Sequence, residues 1–271
     1  MCLIALSWDP AGPRRLLVLA NRDEFYARPT RPADWWDDHP DVWGGRDLSA
    51  GGTWLGITRG GRFAAITNYR EPGRHDPRAQ SRGHLVLDFL AGDMPAAGYL
   101  QELGARAGRF NGFNLLVGEM AGPSAVLGYL SHRAGQAAHE PAMLPAGLYG
   151  LSNAVLDTPW PKVLRTIAGL SAIDGDADAL SACFELLSDR RIAADAELPS
   201  TGVSLERERM LSAPFIVSPD YGTRAQTVLR ITRDGIVDAL ERSYDDAAQA
   251  GSLRPAAERQ VRFALANTAS R

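Results

Sequence analysis

Two apolar runs, CLIALSW (residues 2–8) and LLVLA (16–20), flank a short segment, DPAGPRR, punctuated by Pro10, Gly12 and Pro13. Each run is the length of a buried strand, and the Pro/Gly segment between them has the chemistry of a turn. The pattern therefore predicts a β-hairpin that begins at the second residue. It tucks Cys2 into a sheet, close to the ends of neighbouring strands. Cysteine is small enough to permit removal of the initiator methionine, which would put a thiol and a free α-amine on one residue.

Further along, residues 29–52 are rich in Pro, Trp, Asp and Gly and read as irregular loop. TWLGITRGGRFAAITNYR reads as a hairpin around Gly60-Gly61, a dipeptide suited to positive φ, with Asn68 at the end of its second strand. EPGRHDPRAQ follows as loop. Ser81 is placed to cap a helix through RGHLVLDFLAG, and PAAGYLQELGARAG reads as a second helix. FNLLVGEM, SAVLGYLS and GLYGLSNA read as strands, 160–170 and 177–191 have helical spacing, and PFIVS reads as a short strand. QTVLRITRDGIVDALERSY reads as a hairpin around Asp234-Gly235. From Asp245 the Ala- and Arg-rich composition suggests a loosely packed tail over 245–271. The order is strands, helices, strands, helices, strands, which favours α+β layers over alternating βαβ units. No repeat, low-complexity tract or linker divides the chain, so residues 1–271 are expected to form one domain.

Composition narrows the function classes. A net charge of -3 lacks the basic excess of a dedicated nucleic-acid binder. Asp9 and Pro10 interrupt the first apolar run, no basic leader precedes it, and no apolar segment reaches the length of a membrane span. A cytoplasmic protein without an integral membrane segment is the expectation. The two cysteines, Cys2 and Cys183, cannot make a disulfide framework, and Cys183, in ALSACFELL, reads as a small core residue. The five histidines are scattered with no metal-ligand spacing, and no P-loop, G-x-G-x-x-G or G-x-S-x-G is present, so neither metal nor cofactor is expected. Trp35, Trp36, Trp43 and Trp54 leave two readings open: a ligand pocket, or a loop packed on the core.

The chemistry gathers at Cys2. A free α-amine has a pKa of roughly 7.7–8.0, so part of it is neutral near pH 7 and can accept the thiol proton. One residue then supplies nucleophile and base, and no partner histidine is required. Acyl transfer through a thioester needs donors aimed at the tetrahedral oxyanion, and Asn side chains serve this purpose. Asn68 and Asn153 both sit at expected strand ends. Asp23 is placed to accept a hydrogen bond from the amine, and Arg22 or Arg224 to set positive charge near a thiolate or a substrate carboxylate. Taken singly, these residues also read as ordinary strand-end, turn or surface-pair residues.

The segment LANRDEFYARPT carries a resemblance. Asn21-Arg22-Asp23-Glu24 is the tetrapeptide of the NRDE family, also called the transport and Golgi organisation family. Met1-Cys2, GGTWLGIT, AAITNYREP, SRGHLVLDFL, FNLLVG, GLSNAVLDTPWPKV and YGTRAQTVL extend it over most of the chain from Cys2 to Tyr244. The family resembles the N-terminal nucleophile hydrolases, which implies a four-layer αββα sandwich. A more distant similarity is to choloylglycine and penicillin V acylases, which also begin Met-Cys and cleave non-peptide amide bonds. That similarity implies Cys2 as nucleophile, Asp23 as the aspartate holding it, Asn68 as an oxyanion-hole donor, Asn153 as a second active-site asparagine, and Arg224 as an arginine beside the thiol. Arg22, Trp54 and Tyr69 are the expected substrate contacts. Where the acylases place an arginine just before Asn-x-Asp this chain has Ala20, and Arg22, two residues later, points to the same side of an alternating strand.

Two functions follow. One is a cysteine amidohydrolase acting on the C–N bond of a small N-acyl substrate. The alternative, implied by the resemblance, is a non-catalytic carrier of haem or of acyl-CoA and lipid.

Overall fold

The computed structural model describes residues 2–133, 140–173 and 179–266; Met1, residues 177–178 of the expected late helix and residues 267–271 of the expected tail lie outside them. The opening hairpin forms, with β1 (Cys2–Trp8) antiparallel to β2 (Arg14–Phe25). After it come β3 (Thr30–Trp35), β4 (Val42–Asp47), β5 (Leu55–Thr58), β6 (Arg62–Asn68), α1 (Gly83–Ala91), α2 (Ala96–Arg106), β7 (Phe113–Glu119), β8 (Val126–His132), β9 (Ala142–Met143) and β10 (Gly147–Leu151). The chain continues through α3 (Pro161–Ser171), α4 (Ala179–Leu187), α5 (Leu205–Leu211), β11 (Tyr221–Thr232), β12 (Ile236–Ser243), α6 (Ala247–Ser252) and β13 (Ala257–Ala264).

Among the described residues these strands form two antiparallel sheets, ordered β10-β1-β2-β11-β12-β13 and β3-β4-β5-β6-β7-β8-β9. Alternation decides what each face does. Ile4, Leu6, Trp8, Leu16, Val18 and Ala20 look inward and share one core with Val42, Trp43, Ile57 and Phe63 of the other sheet. On the outer face of the first sheet, Ala5, Leu17, Leu19, Val228 and Leu240 meet Leu170, Cys183, Phe184 and Leu187 of α3 and α4. The outer face of the second sheet is covered by α1 and α2. Helix, sheet, sheet, helix is the four-layer α+β sandwich that the resemblance implies. Cys183 is a core residue, its thiol pushed up to about 11 by burial. Among the described residues no helix is long and apolar enough to cross a membrane.

The structure departs from local expectation in several places. Residues 29–52, expected as loop, hold β3 and β4. Pro32 is tolerated because β3 is an edge strand whose register slips between Arg31 and Asp34. Gly44 and Gly45 in β4 mark close approach: a Cβ on Gly44 would lie 2.5 Å from the Leu55 carbonyl oxygen, and one on Gly45 would lie 2.2 Å from the Trp54 indole. β2 runs past its apolar stretch, so Asn21, Arg22 and Asp23 are buried strand residues. Asn21 and Arg22 pair with β1 on one side and β11 on the other, and Asp23 pairs with β11. Ser81 does not cap α1, whose N-cap residue is Arg82. PFIVS makes only an isolated bridge, Val217 to Gly222. The stretch from Asp245 carries α6 and β13, and β13 pairs with β12 from Ser243–Ala257 to Ile236–Ala264.

Candidate active site

The two sheets come together at one end around the first residues of β1. Cys2 lies directly opposite Arg22 across the β1–β2 ladder, so both side chains project from the same face, roughly 5 Å apart at Cβ. Cys2, Arg22, Asp23, Trp54, Asn68 and Arg82 line a cavity of about 260 Å³. Asn68 comes from the far sheet, as the last residue of β6.

A short segment after β10 clamps the two sheets at this point. Ser152 Oγ donates to the Cys2 carbonyl oxygen at 2.9 Å, and Asn153 Nδ2 donates to the Asn68 carbonyl oxygen at 2.8 Å. Behind the clamp, Asn114 Nδ2 donates to Thr67 Oγ1 at 3.1 Å and to the Ala154 carbonyl at 2.9 Å, while its Oδ1 accepts from Tyr129 and Ser131, each at 2.8 Å. Every member of this network is buried or half-buried, and a satisfied buried polar network favours a single geometry. Nucleophile candidate and oxyanion candidate are thus tied to one element.

Electrostatics tune the group. Burial pushes the Cys2 thiol up from its ordinary value; the Asp23 carboxylate adds to this, while Arg22 and a backbone hydrogen bond from Asp23 act against it. The resting sulfur is therefore protonated at neutral pH. Asp23 is itself raised by burial, with Lys162 drawing it back down. Its Oδ1 accepts from Thr223 Oγ1 at 2.7 Å. Lys162 is 1% exposed, its ammonium has no hydrogen-bond partner among the described residues, and burial depresses it to about 8 against the pull of Asp23.

Cys2, Asp23, Asn68, Arg22 and Trp54 share the cavity wall, and Asn153 stands immediately behind Asn68. Two expected residues are placed elsewhere. Arg224 does not line the cavity. It falls where the β2–β11 register shifts between Thr223 and Ala225, and a bulge re-aims its side chain. Its guanidinium donates to the carbonyls of Tyr244, Phe25, Tyr26 and Arg28, so it holds the segment after β2 rather than standing beside the thiol. Tyr69 also lies outside the lining: its ring carries the guanidinium of Arg133, 5.1 Å from the centroid. Trp54 resolves the two readings of the tryptophans in both directions, since it is buried in the core and also walls the cavity under Arg22, whose guanidinium lies 4.2 Å from the ring centroid.

Three residues around the site were not singled out from the sequence: Arg82, Ser152 and Lys162. Each lies within a stretch that carries the family resemblance (SRGHLVLDFL, GLSNAVLDTPWPKV), but nothing in the local pattern separates them from a helix-start charge, a strand-end hydroxyl or a surface lysine.

A family model described as Transport and Golgi organisation 2 matches residues 1–246. The chain is similar to the Transport and Golgi organization protein 2 homolog of Bos taurus, 37% identical over 260 residues covering 90% of this chain and 93% of the relative. It is 34% identical over 268 residues to the homolog of Homo sapiens, covering 91% and 94%. Among solved structures, a Caenorhabditis elegans N-acylethanolamine-hydrolyzing acid amidase ortholog aligns with TM-score 0.49 and 13% identity, over 86% of this chain and 93% of that one. The C2A mutant of a conjugated bile acid hydrolase from Clostridium perfringens aligns with TM-score 0.46 and 8% identity, over 100% and 99%.

Proposed function

The chain belongs to the Transport and Golgi organisation 2 family, and from that premise we propose that it is a thiol-dependent amidohydrolase with Cys2 as nucleophile. The observation that carries this reading is the meeting of Cys2 and Asn68, from different sheets, on one small polar cavity held by the Ser152-Asn153 clamp. Removal of Met1 bares the Cys2 α-amine. The thiol proton passes to that amine as sulfur attacks the amide carbonyl carbon, with Asn68 donating to the developing oxyanion. The C–N bond then breaks, and the leaving amine takes the proton. Water attacks the thioester, releases the carboxylic acid and restores the thiol, so amide and water become acid and amine. Asp23, beside Cys2, orients the amine. Asn153 acts through the Asn68 backbone and is a positioning residue.

Intact mass tests the first requirement and amine release the second. The mature chain lacks Met1, and Cys2→Ala abolishes release while retaining the fold. Hydrolysis by Cys2→Ala at the wild-type rate would overturn the mechanism.

The family's name, which speaks of transport, favours a second reading, a carrier without turnover, for which we propose haem or acyl-CoA as the cargo. Absorbance titration with haem and mass spectrometry of co-purified ligand test it. A cavity of about 260 Å³ suits a small amide better than either larger cargo.

A further inference from the structure

Lys162 is the second residue of α3, which packs on β1, β10 and α4. Its side chain is buried, and its Nζ has no hydrogen-bond partner among the described residues. An ammonium taken from water without hydrogen bonds is costly, and a methionine would fill the same space without that cost. The charges that face it account for its place. They are Asp23 of β2, Arg70 just after β6 and Cys2 of β1; no charge of β10 or α4 is among them. Arg70 has its own counter-charge in Glu208 of α5, Nη1 to Oε2 at 2.8 Å. Lys162 is therefore left to Asp23, and it heads the charges that pull on that carboxyl.

The pairs Leu3–Asn21 and Cys2–Arg22 carry the backbone nitrogen of Cys2 on toward Asp23. Alternation turns the Arg22 side chain to the cavity and the Asp23 carboxyl to the helix layer, where Asn21 also donates to the carbonyls of Leu187 and Pro214. Around that carboxyl, Thr223 donates to Oδ1, and Tyr221, a phenol kept protonated by burial, donates to the Asp23 carbonyl at 3.0 Å. The cavity side carries Arg22, Arg82 and Glu24. With Lys162 charged, a proton on the Cys2 α-amine would set two cations on one buried carboxylate, and like charges at close quarters disfavour the second proton. We propose that Lys162 is a positioning residue for proton transfer: by sharing Asp23 with the α-amine of the mature chain, it keeps that amine in the neutral form that takes the thiol proton. The purpose of this device rests on the amidohydrolase reading, but its effect on the amine does not.

The test is 15N NMR of the mature protein labelled with [15N]cysteine, in which the Cys2 amine is read by its titration and the Cys183 amide reports the fold. The wild-type amine is expected to titrate about one unit below the ordinary range of roughly 7.7–8.0. Lys162→Met is expected to raise it by about one unit or more, and Lys162→Arg, whose charge is permanent, to keep it low. In parallel, the acid limb of kcat/KM for aniline release from acetanilide is expected to move up by the same amount in Lys162→Met, a loss of about tenfold at pH 6 with the alkaline plateau retained. A purely structural loss would lower the profile at every pH. A wild-type amine that titrates in the ordinary range, or the same titration in wild type and Lys162→Met, would overturn the proposal. The expected shift without aniline release by the wild type would keep the role of Lys162 and count against the amidohydrolase reading. Aniline release by both proteins with an unshifted amine would do the reverse.

Discussion

Glu241 lies on the inner face of β12, 2% exposed, in the layer between the sheets. Its Oε1 accepts from the Ala33 N–H at 2.7 Å and from Ser243 Oγ at 3.3 Å, and its Oε2 accepts from Thr227 Oγ1 at 3.3 Å. Burial raises the carboxyl from 4.5 to about 7, against the opposing effect of these bonds and of Arg22. Because the folded value lies above the unfolded one, the stabilisation from this group is complete below about pH 4.5. It fades as pH rises and is gone above about pH 7. At about 1.4 kcal/mol per unit, the raised value corresponds to about 3 kcal/mol across that window. Glu241→Gln keeps the shape, the acceptor for Ala33 and a donor for Thr227, but does not ionise. Its stability relative to wild type should therefore increase by about 2.5 kcal/mol between pH 5 and pH 8, since part of the change has already occurred by pH 5. Urea unfolding followed by tryptophan fluorescence at the two pH values measures this difference directly, and all other titrating groups cancel in it. The same midpoint shift at both pH values, or a variant that loses stability on going to pH 8, would refute the argument.

Other perturbations follow from the same kind of reasoning. Arg70 and Glu208 form a buried pair, Nη1 to Oε2 at 2.8 Å, with side chains 5% and 4% exposed; Glu208→Ala should cost about 3–5 kcal/mol in urea unfolding, and a loss below about 1 kcal/mol would show that the pair is inconsequential. Gly45→Ala drives a methyl into the Trp54 indole and should destabilise the fold by about 1–3 kcal/mol, with altered tryptophan emission. While Met1 is in place, iodoacetamide should label Cys2 at pH 8 more slowly than free cysteine and leave the buried Cys183 unlabelled in peptide maps, whereas labelling of Cys183 at a comparable rate would contradict the core assignment.

The parts of the fold legible in the sequence are those governed by short-range rules. The hairpin turns at Gly61 and Gly235 adopt positive φ, +84° and +79°, as their sequences require. The near-continuous apolar runs of β1 and β7 mark strands buried on both faces. The strands within 29–52 were not legible, because Pro32, Gly44 and Gly45 carry loop chemistry. What makes them strand is edge pairing for the first and the closeness of Leu55 and Trp54 for the glycines. Arg224 is the corresponding case in the site. The acylase similarity implies an arginine beside the thiol, but a one-residue register shift between Thr223 and Ala225 turns it away, and nothing within YGTR encodes that shift.

By itself, the sequence determined that the chain opens with a buried hairpin and that strands and helices segregate into layers. These properties depend on backbone preferences and apolar periodicity acting over a few residues. Only the tertiary structure decided that Asn68 reaches the Cys2 cavity, and that Ser152 and Asn153 bind the two together. Those facts depend on how two sheets bury their inner faces against each other. That burial sums many distant side chains, and the identity of any one neighbour in the sequence does not report it.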